Sequence, residues 1–268
     1  MRLINSIFLA LIFSIPYCCK PSNLSEKKLF VCYGKVSPEE IAGYKVVVIE
    51  AQHYIKEEIE VFRKNNDKVL GYLSLGEVHP SAWYFNDMEP YVFSQNKDWG
   101  GYYLQFTDTH VQSILLQVIS AMMSKNLDGL FLDNLDNFSA WGTLQGQKDQ
   151  MVNFIHQIKK KYPQIFLMQN RGLFALQELK GATDAVLVES LITMYNFDTK
   201  SYGYRDSASR VVLEKELKAQ KKMDIPIYVL EYAESKIMKK AIEHKLNKLG
   251  YPYFIANIDL QQVPEFLN

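Results

Sequence analysis

Cysteine is almost missing from the body of this chain. Of three in 268 residues, Cys18 and Cys19 sit together near the start, and Cys32 stands alone in an apolar run. That isolation reads as a buried, inert thiol. The five histidines (His53, His79, His110, His156 and His244) are scattered, with no Cys/His pair at zinc spacing and no His-x-His at a strand end. Neither a structural zinc nor a metal-dependent barrel hydrolase is indicated, and no metal or other cofactor is expected. Gly-x-Gly-x-x-Gly and phosphate-loop signatures are also missing, which argues against a nucleotide-binding sheet. Charge of either sign is not in excess: 30 Lys+Arg balance 30 Asp+Glu. Nucleic acid and an anionic membrane surface are therefore poor partners on electrostatic grounds. No repeat of about 20–50 residues and no linker-like gap divides the sequence, so solenoids are disfavoured.

What is present is an ordinary globular composition, 48% hydrophobic and 22% charged, long enough for one large α/β barrel or two smaller domains. Residues 1–19 read as an export signal. Arg2 supplies the positive charge, the largely apolar run 3–15 is too short to span a bilayer comfortably, and Pro16 closes it. Cys18 or Cys19 is then a candidate for lipid attachment, although Pro16-Tyr17 stand where small residues belong; simple secretion is the alternative. Residues 20–28 read as a polar tether. Export to a cell surface or periplasm, or secretion, follows.

From residue 29 onward, apolar runs of strand length alternate with amphipathic stretches. Strands are expected at 29–33, 45–50, 69–75, 129–133, 165–170, 185–189, 227–231 and 253–257. Helices are expected at 55–65, 109–125 (capped by Asp108 or Thr109), 145–162, 208–223 and 235–249, with shorter ones opening at Ser37 and covering 173–179. Eight strands in such alternation favour a single (β/α)8 TIM barrel over residues 29–268. Two long connections interrupt the rhythm: 79–101, rich in aromatics including Trp83 and Trp99, and 191–207. Structureless loops of that length are usually lids or binding walls.

The anomaly is where the polar residues fall. A parallel strand covered on both faces is apolar throughout, yet here one strand after another ends in a polar group. Glu77 follows strand three, Asp133 strand four, Asn170 strand five and Glu189 strand six, while Glu231 and Tyr232 end strand seven. On a barrel these ends converge on one pocket. Two facing carboxyl groups are what glycoside hydrolysis uses, about 5–5.5 Å apart for retention and about 6.5–9.5 Å for inversion, and strands separated by one neighbour fit either. Asp133 and Glu189 are the candidate pair. Glu77, Trp83, Asn134, Asp136, Asn170, Glu231 and Tyr232 are candidate substrate contacts, with Asp136 equally able to cap the segment that follows its strand. Glu50 is a further acid able to face the pocket, and Asp128, before its strand, reads as a structural turn residue.

These residues carry a resemblance. Tyr72-Leu-Ser-Leu-Gly-Glu77, Asp128-Gly-Leu-Phe-Leu-Asp-Asn-Leu-Asp136, Asn170 and Glu189 resemble glycoside hydrolase family 114, the endo-α-1,4-polygalactosaminidase-like (β/α)8 barrels, over residues 30–258. The Asp-Gly-x-x-x-Asp-Asn-x-Asp segment is its most specific part. The resemblance implies a single barrel that cuts within an α-1,4-linked, galactosamine-containing polysaccharide; a monomer is expected. It also implies Asp133 as nucleophile and Glu189 as general acid/base. One stretch departs from the pattern: after Glu77, relatives carry another acid and an Arg near a Trp, whereas this chain has Val78-His79-Pro80-Ser81-Ala82-Trp83. The rival reading is a surface glycan-binding barrel without catalysis.

Overall fold

The structure, a computed structural model, describes residues 27–268. The segments expected to be an export signal and most of a tether lie outside the described residues. Eight parallel strands form one sheet in chain order: β1 Leu29–Cys32, β2 Val46–Ile49, β3 Val69–Ser74, β4 Gly129–Asp133, β5 Phe166–Asn170, β6 Ala185–Glu189, β7 Ile227–Tyr232 and β8 Tyr253–Ala256. The sheet curls until its two ends meet. Phe30 of β1 packs on Phe254 of β8 at 5.3 Å, and the Tyr33 amide donates to Leu260 O at 2.7 Å. The result is a nearly closed (β/α)8 TIM barrel.

Five long α-helices lie between strands: α1 Lys56–Asn65, α2 Thr109–Ser124, α3 Lys148–Lys161, α4 Ser207–Gln220 and α5 Lys236–Leu249; a single helical turn, Phe85–Met88, lies in the β3–β4 connection. In α2 the buried positions are Val111, Leu115, Val118, Ile119 and Met122, a single face, and the Asp108 side chain caps the first turn by accepting from the His110 amide. The β1–β2 and β5–β6 crossovers contain only 3-10 turns, Pro38–Glu40 and Leu173–Ala175, where short helices were expected. Both segments are too short to repay helix nucleation. Buried Ile41 covers the barrel wall at the first of them, and Ala175, Leu176 and Leu179 at the second.

The long connections are also more ordered than expected. Glu77–Val78, Val92–Gln95 and Tyr102–Leu104 form a small antiparallel sheet. Thr193–Asn196 and Ser201–Tyr204 form a hairpin. Cross-strand pairing supplies backbone partners that a structureless loop would lack. Among the described residues no helix is long and apolar enough to cross a membrane.

Side chains alternate along each strand, and the alternation decides what reaches the barrel interior. Leu29 and Val31, Val46 and Val48, Leu70, Phe131, Met168, Ala185 and Leu187, and Leu230 pack together inside. Their neighbours Phe30, Val47, Val69, Leu130, Leu132 and Leu167 belong to the layer between sheet and helices. Both layers are apolar, which is why the strands read as continuous hydrophobic runs. Cys32 lies in the outer layer, its thiol pushed up to about 11 by burial.

Candidate active site

Counting two residues on from the inner layer gives Tyr33, Glu50, Tyr72, Asp133, Asn170, Glu189 and Tyr232. All seven line one cavity of about 1140 Å³ at the carboxyl ends of the strands. Three consecutive strands stop in the same way. The residues after Asp133, Asn170 and Glu189, namely Asn134, Arg171 and Ser190, all have positive φ (63°, 51° and 55°). Such conformations are uncommon outside glycine and cluster where a site over-determines the backbone. The left-handed step turns the chain away at once and leaves the preceding side chain facing the cavity.

Asp133 and Glu189 stand on strands flanking β5, and Asn170 of β5 lies between them. Its amide nitrogen Nδ2 donates to Asp133 Oδ1 at 2.7 Å and to Glu189 Oε1 at 2.8 Å. Those two oxygens are therefore no more than about 5.5 Å apart, the sum of the two bonds. Asp133 also accepts from the Asn134 amide at 2.7 Å and from the Tyr72 hydroxyl. Glu189 Oε2 accepts from the Tyr232 hydroxyl at 2.9 Å. Burial pushes the Glu189 carboxyl up to about 7, with the Asp133 charge adding to it; Tyr232, Arg171 and Asn170 pull the other way. Asp133 is raised as well, first by burial, against hydrogen bonds from Asn170, Asn134 and Tyr72.

Glu77, Asn134 and Trp83 also line the cavity. Glu77 is 5% exposed and is held by Asn96 Nδ2 at 3.2 Å and Asn137 Nδ2 at 2.8 Å, with burial raising its carboxyl. Gly76 beside it is required by proximity, since a Cβ there would stand 3.1 Å from Asn134 O and 3.0 Å from Asn137 Nδ2. The divergent stretch after Glu77 faces the same space: His79, Ser81 and Ala82 are in the lining, and His79 Nδ1 is 2.7 Å from Ser81 Oγ.

Two expected contacts are corrected. Asp136 lies outside the cavity lining. It accepts from the Gly172 amide at 3.0 Å and stands 3.6 Å from Arg171, tying the β4 loop to the β5 loop. Glu231 is fully buried and takes bonds from the Ile192 amide (2.8 Å), the Thr193 amide (2.9 Å) and the Thr193 hydroxyl (2.6 Å). The reason is parity. Glu231 is one residue past the inward Leu230, so it points outward and anchors the base of the hairpin. Glu231→Ala is expected to leave those buried donors unpaired and to cost about 3 kcal/mol of stability, read as a fall in denaturant midpoint. An unchanged midpoint would show that the hairpin base is held by other contacts.

Asp128, at the opposite rim, binds Arg63 at 2.9 Å and the Val69 amide at 2.9 Å. The residues that sequence reading passed over are Tyr33, Tyr72, Asp259 and Gln261, all in the lining. The first two were within reach of the same count of two from Val31 and Leu70. Asp259 and Gln261 follow β8 on a loop and carry no such signal. Among the described residues no group of three His, Cys, Asp or Glu side chains is disposed to hold a metal ion.

A TIM barrel with two carboxyl groups bridged by one amide at its strand ends has the form of a two-carboxylate glycoside hydrolase. The sequence pattern of glycoside-hydrolase family GH114 matches residues 20–267, and the chain belongs to that family. The glycoside hydrolase domain of PelA from Pseudomonas aeruginosa superposes with a TM-score of 0.79 at 24% identity, over 88% of this chain and 96% of that one. Ega3 of Aspergillus fumigatus, solved in complex with galactosamine, gives 0.70 at 15% identity over 90% and 95%. These two likenesses establish the barrel. An uncharacterized protein of Methanocaldococcus jannaschii is 24% identical over 115 residues, 39% of this chain and 33% of that protein, so the match spans a third of the curated relative's length.

Proposed function

We propose that the chain is a retaining glycoside hydrolase that cuts within an α-1,4-linked, galactosamine-containing polysaccharide. The observation that carries the reading is the shared Asn170 donor. It brings the facing oxygens of the two acids within about 5.5 Å of each other, which favours a double displacement over the wider spacing of an inverting enzyme.

In the first step the Asp133 carboxylate attacks the anomeric carbon and the glycosidic C–O bond breaks. Glu189, protonated, gives its proton to the departing oxygen. In the second step Glu189, now ionised, takes a proton from water, and that water displaces Asp133 from the sugar. A carboxyl group at about 7 can serve both steps near neutral pH.

The excess of acidic over basic side chains in the cavity supports an amino sugar. Glu50, Glu77, Asp133, Glu189 and Asp259 line it against Lys125, whose ammonium is engaged by Ala51 O and Tyr54 O. Ega3, bound to galactosamine, has the same fold. The divergent stretch from His79 to Trp83 sets which sugar is preferred. Export belongs to the same proposal, resting on Arg2, the apolar run behind it and Cys18 or Cys19 as candidates for lipid attachment.

Mass spectrometry of products from de-N-acetylated and acetylated galactosamine polymers tests the reading, with wild type beside Asp133→Asn. Oligosaccharides released by wild type alone support it. Binding without release by wild type would return the protein to the class of non-catalytic glycan-binding barrels.

The pH profile offers a finer check. Tyr232→Phe removes a donor that favours ionised Glu189, so the basic limb of kcat/KM should move up by a fraction of a pH unit to about one unit. A downward shift would contradict Glu189 as the acid.

A further inference from the structure

All three tryptophans of the chain stand on the loops after β3 and β4, on the cavity side of the barrel. Trp83 and Trp99 line the cavity and are 57% and 52% exposed, whereas Trp141 lies beyond the lining and is 97% exposed. Tryptophan is heavily buried on average, so a chain that leaves every one of its indoles open on one rim is using them outward.

Trp141 is displayed on a built turn. The Ser139 amide donates to Asp136 O at 3.0 Å, the Gly142 amide to Ser139 O at 3.0 Å and the Leu144 amide to Asn137 O at 2.8 Å. Gly142 presses so closely on this turn that a Cβ would stand 2.1 Å from Asn137 O. Asn137 in turn donates to Glu77 Oε1 in the cavity wall. The turn that carries the indole is thus tied to the cavity wall through one residue, Asn137.

We propose that Trp141 is an outlying sugar subsite, on which a pyranose ring of the polysaccharide stacks beyond the cavity marked by Trp83 and Trp99. The surroundings favour a sugar over a protein partner. Ser139, Ala140, Gly142 and Thr143 are small and uncharged, so they leave one flat, ring-sized platform. A protein interface would need a contiguous patch of many such residues. The axially hydrogen-bearing face of a pyranose matches an indole in size and apolar character, and its hydroxyls remain in water.

This inference rests on the proposed hydrolysis, and the test separates the two. Steady-state kinetics of wild type and Trp141→Ala would be compared on a galactosamine polymer and on a trisaccharide of the same sugar. The ratio of KM on polymer to KM on trisaccharide is expected to rise about three- to tenfold in the variant. An unchanged ratio overturns the proposal, as does an equal loss on both substrates, which would report damage to the cavity. A dimer in solution that Trp141→Ala dissolves, with the ratio unchanged, would reassign the indole to a contact between copies. Should wild type cleave neither substrate, the hydrolase reading fails by itself, and retardation of the two proteins in gels containing the polymer decides Trp141 separately.

Discussion

Turnover by Asp133→Asn and by Glu189→Gln is expected to fall roughly 10⁴-fold, the upper end of what one positioned acid–base group contributes. The two variants should fail differently. Asp133→Asn removes the proposed nucleophile, so no glycosyl-enzyme is expected with any leaving group. Glu189→Gln removes proton donation, so a substrate with an already acidic leaving group should recover much of the first step. Equal failure on such a substrate would sink the division of roles.

Stability supplies a second readout with a definite sign. The Glu189 carboxyl is raised in the folded state to about 7 from an ordinary value of 4.5. Below pH 4.5 both folded and unfolded chains carry the proton, and the group costs nothing. Between 4.5 and 7 the folded chain binds more protons than the unfolded one, so stability declines as pH rises through that window. Glu50, also raised to about 7 by burial, acts in the same direction. Glu189→Gln should therefore match wild type in unfolding free energy near pH 4 and exceed it above pH 7, by a few kcal/mol at most. A difference independent of pH would mean that Glu189 is not strained by its burial. The residue proposed as the acid is thus also expected to limit stability at neutral pH.

Asn170→Ala is the other large effect, expected at about 10²- to 10³-fold in kcat. One amide nitrogen now sets the separation of both acids, and misplacement of reacting groups by an ångström costs on the order of 10²-fold. Because Asn170 favours the ionised form of both Asp133 and Glu189, its loss should also raise both limbs of the pH profile. That shift distinguishes positioning from packing. A fall in rate with unmoved limbs, or a rate close to wild type, would show that the shared donor is incidental. Asn170→Asp should be worse than Ala, since a third carboxylate would stand between two that already resist ionisation.

The strand ends explain why so much of this site was legible beforehand. Asp133, Asn170 and Glu189 each interrupt an apolar run at its end, and a buried parallel strand gives no other reason for a polar residue there. Glu231 looked the same by that criterion and was misplaced. Its parity relative to Leu230 turns it outward, whereas Tyr232, one step on, reaches Glu189. Asp136 stayed open between pocket and loop because a residue beyond the strand end has no parity to read; its direction is set by the 3-10 turn Leu135–Phe138 and by Gly172. The ordering of the aromatic loop into a three-stranded sheet was hidden for a similar reason. Its strands are two to four residues long and stabilised by partners far apart in sequence.

The sequence alone determined the eight-strand alternation, the barrel and the strand-end placement of the two acids proposed for catalysis, because burial on both faces imposes a local pattern that polar residues then break at a few positions. Only the tertiary structure decided that one side chain on the intervening strand joins those acids. That bond, and the spacing it enforces, depends on the register of β4, β5 and β6, which no single strand encodes.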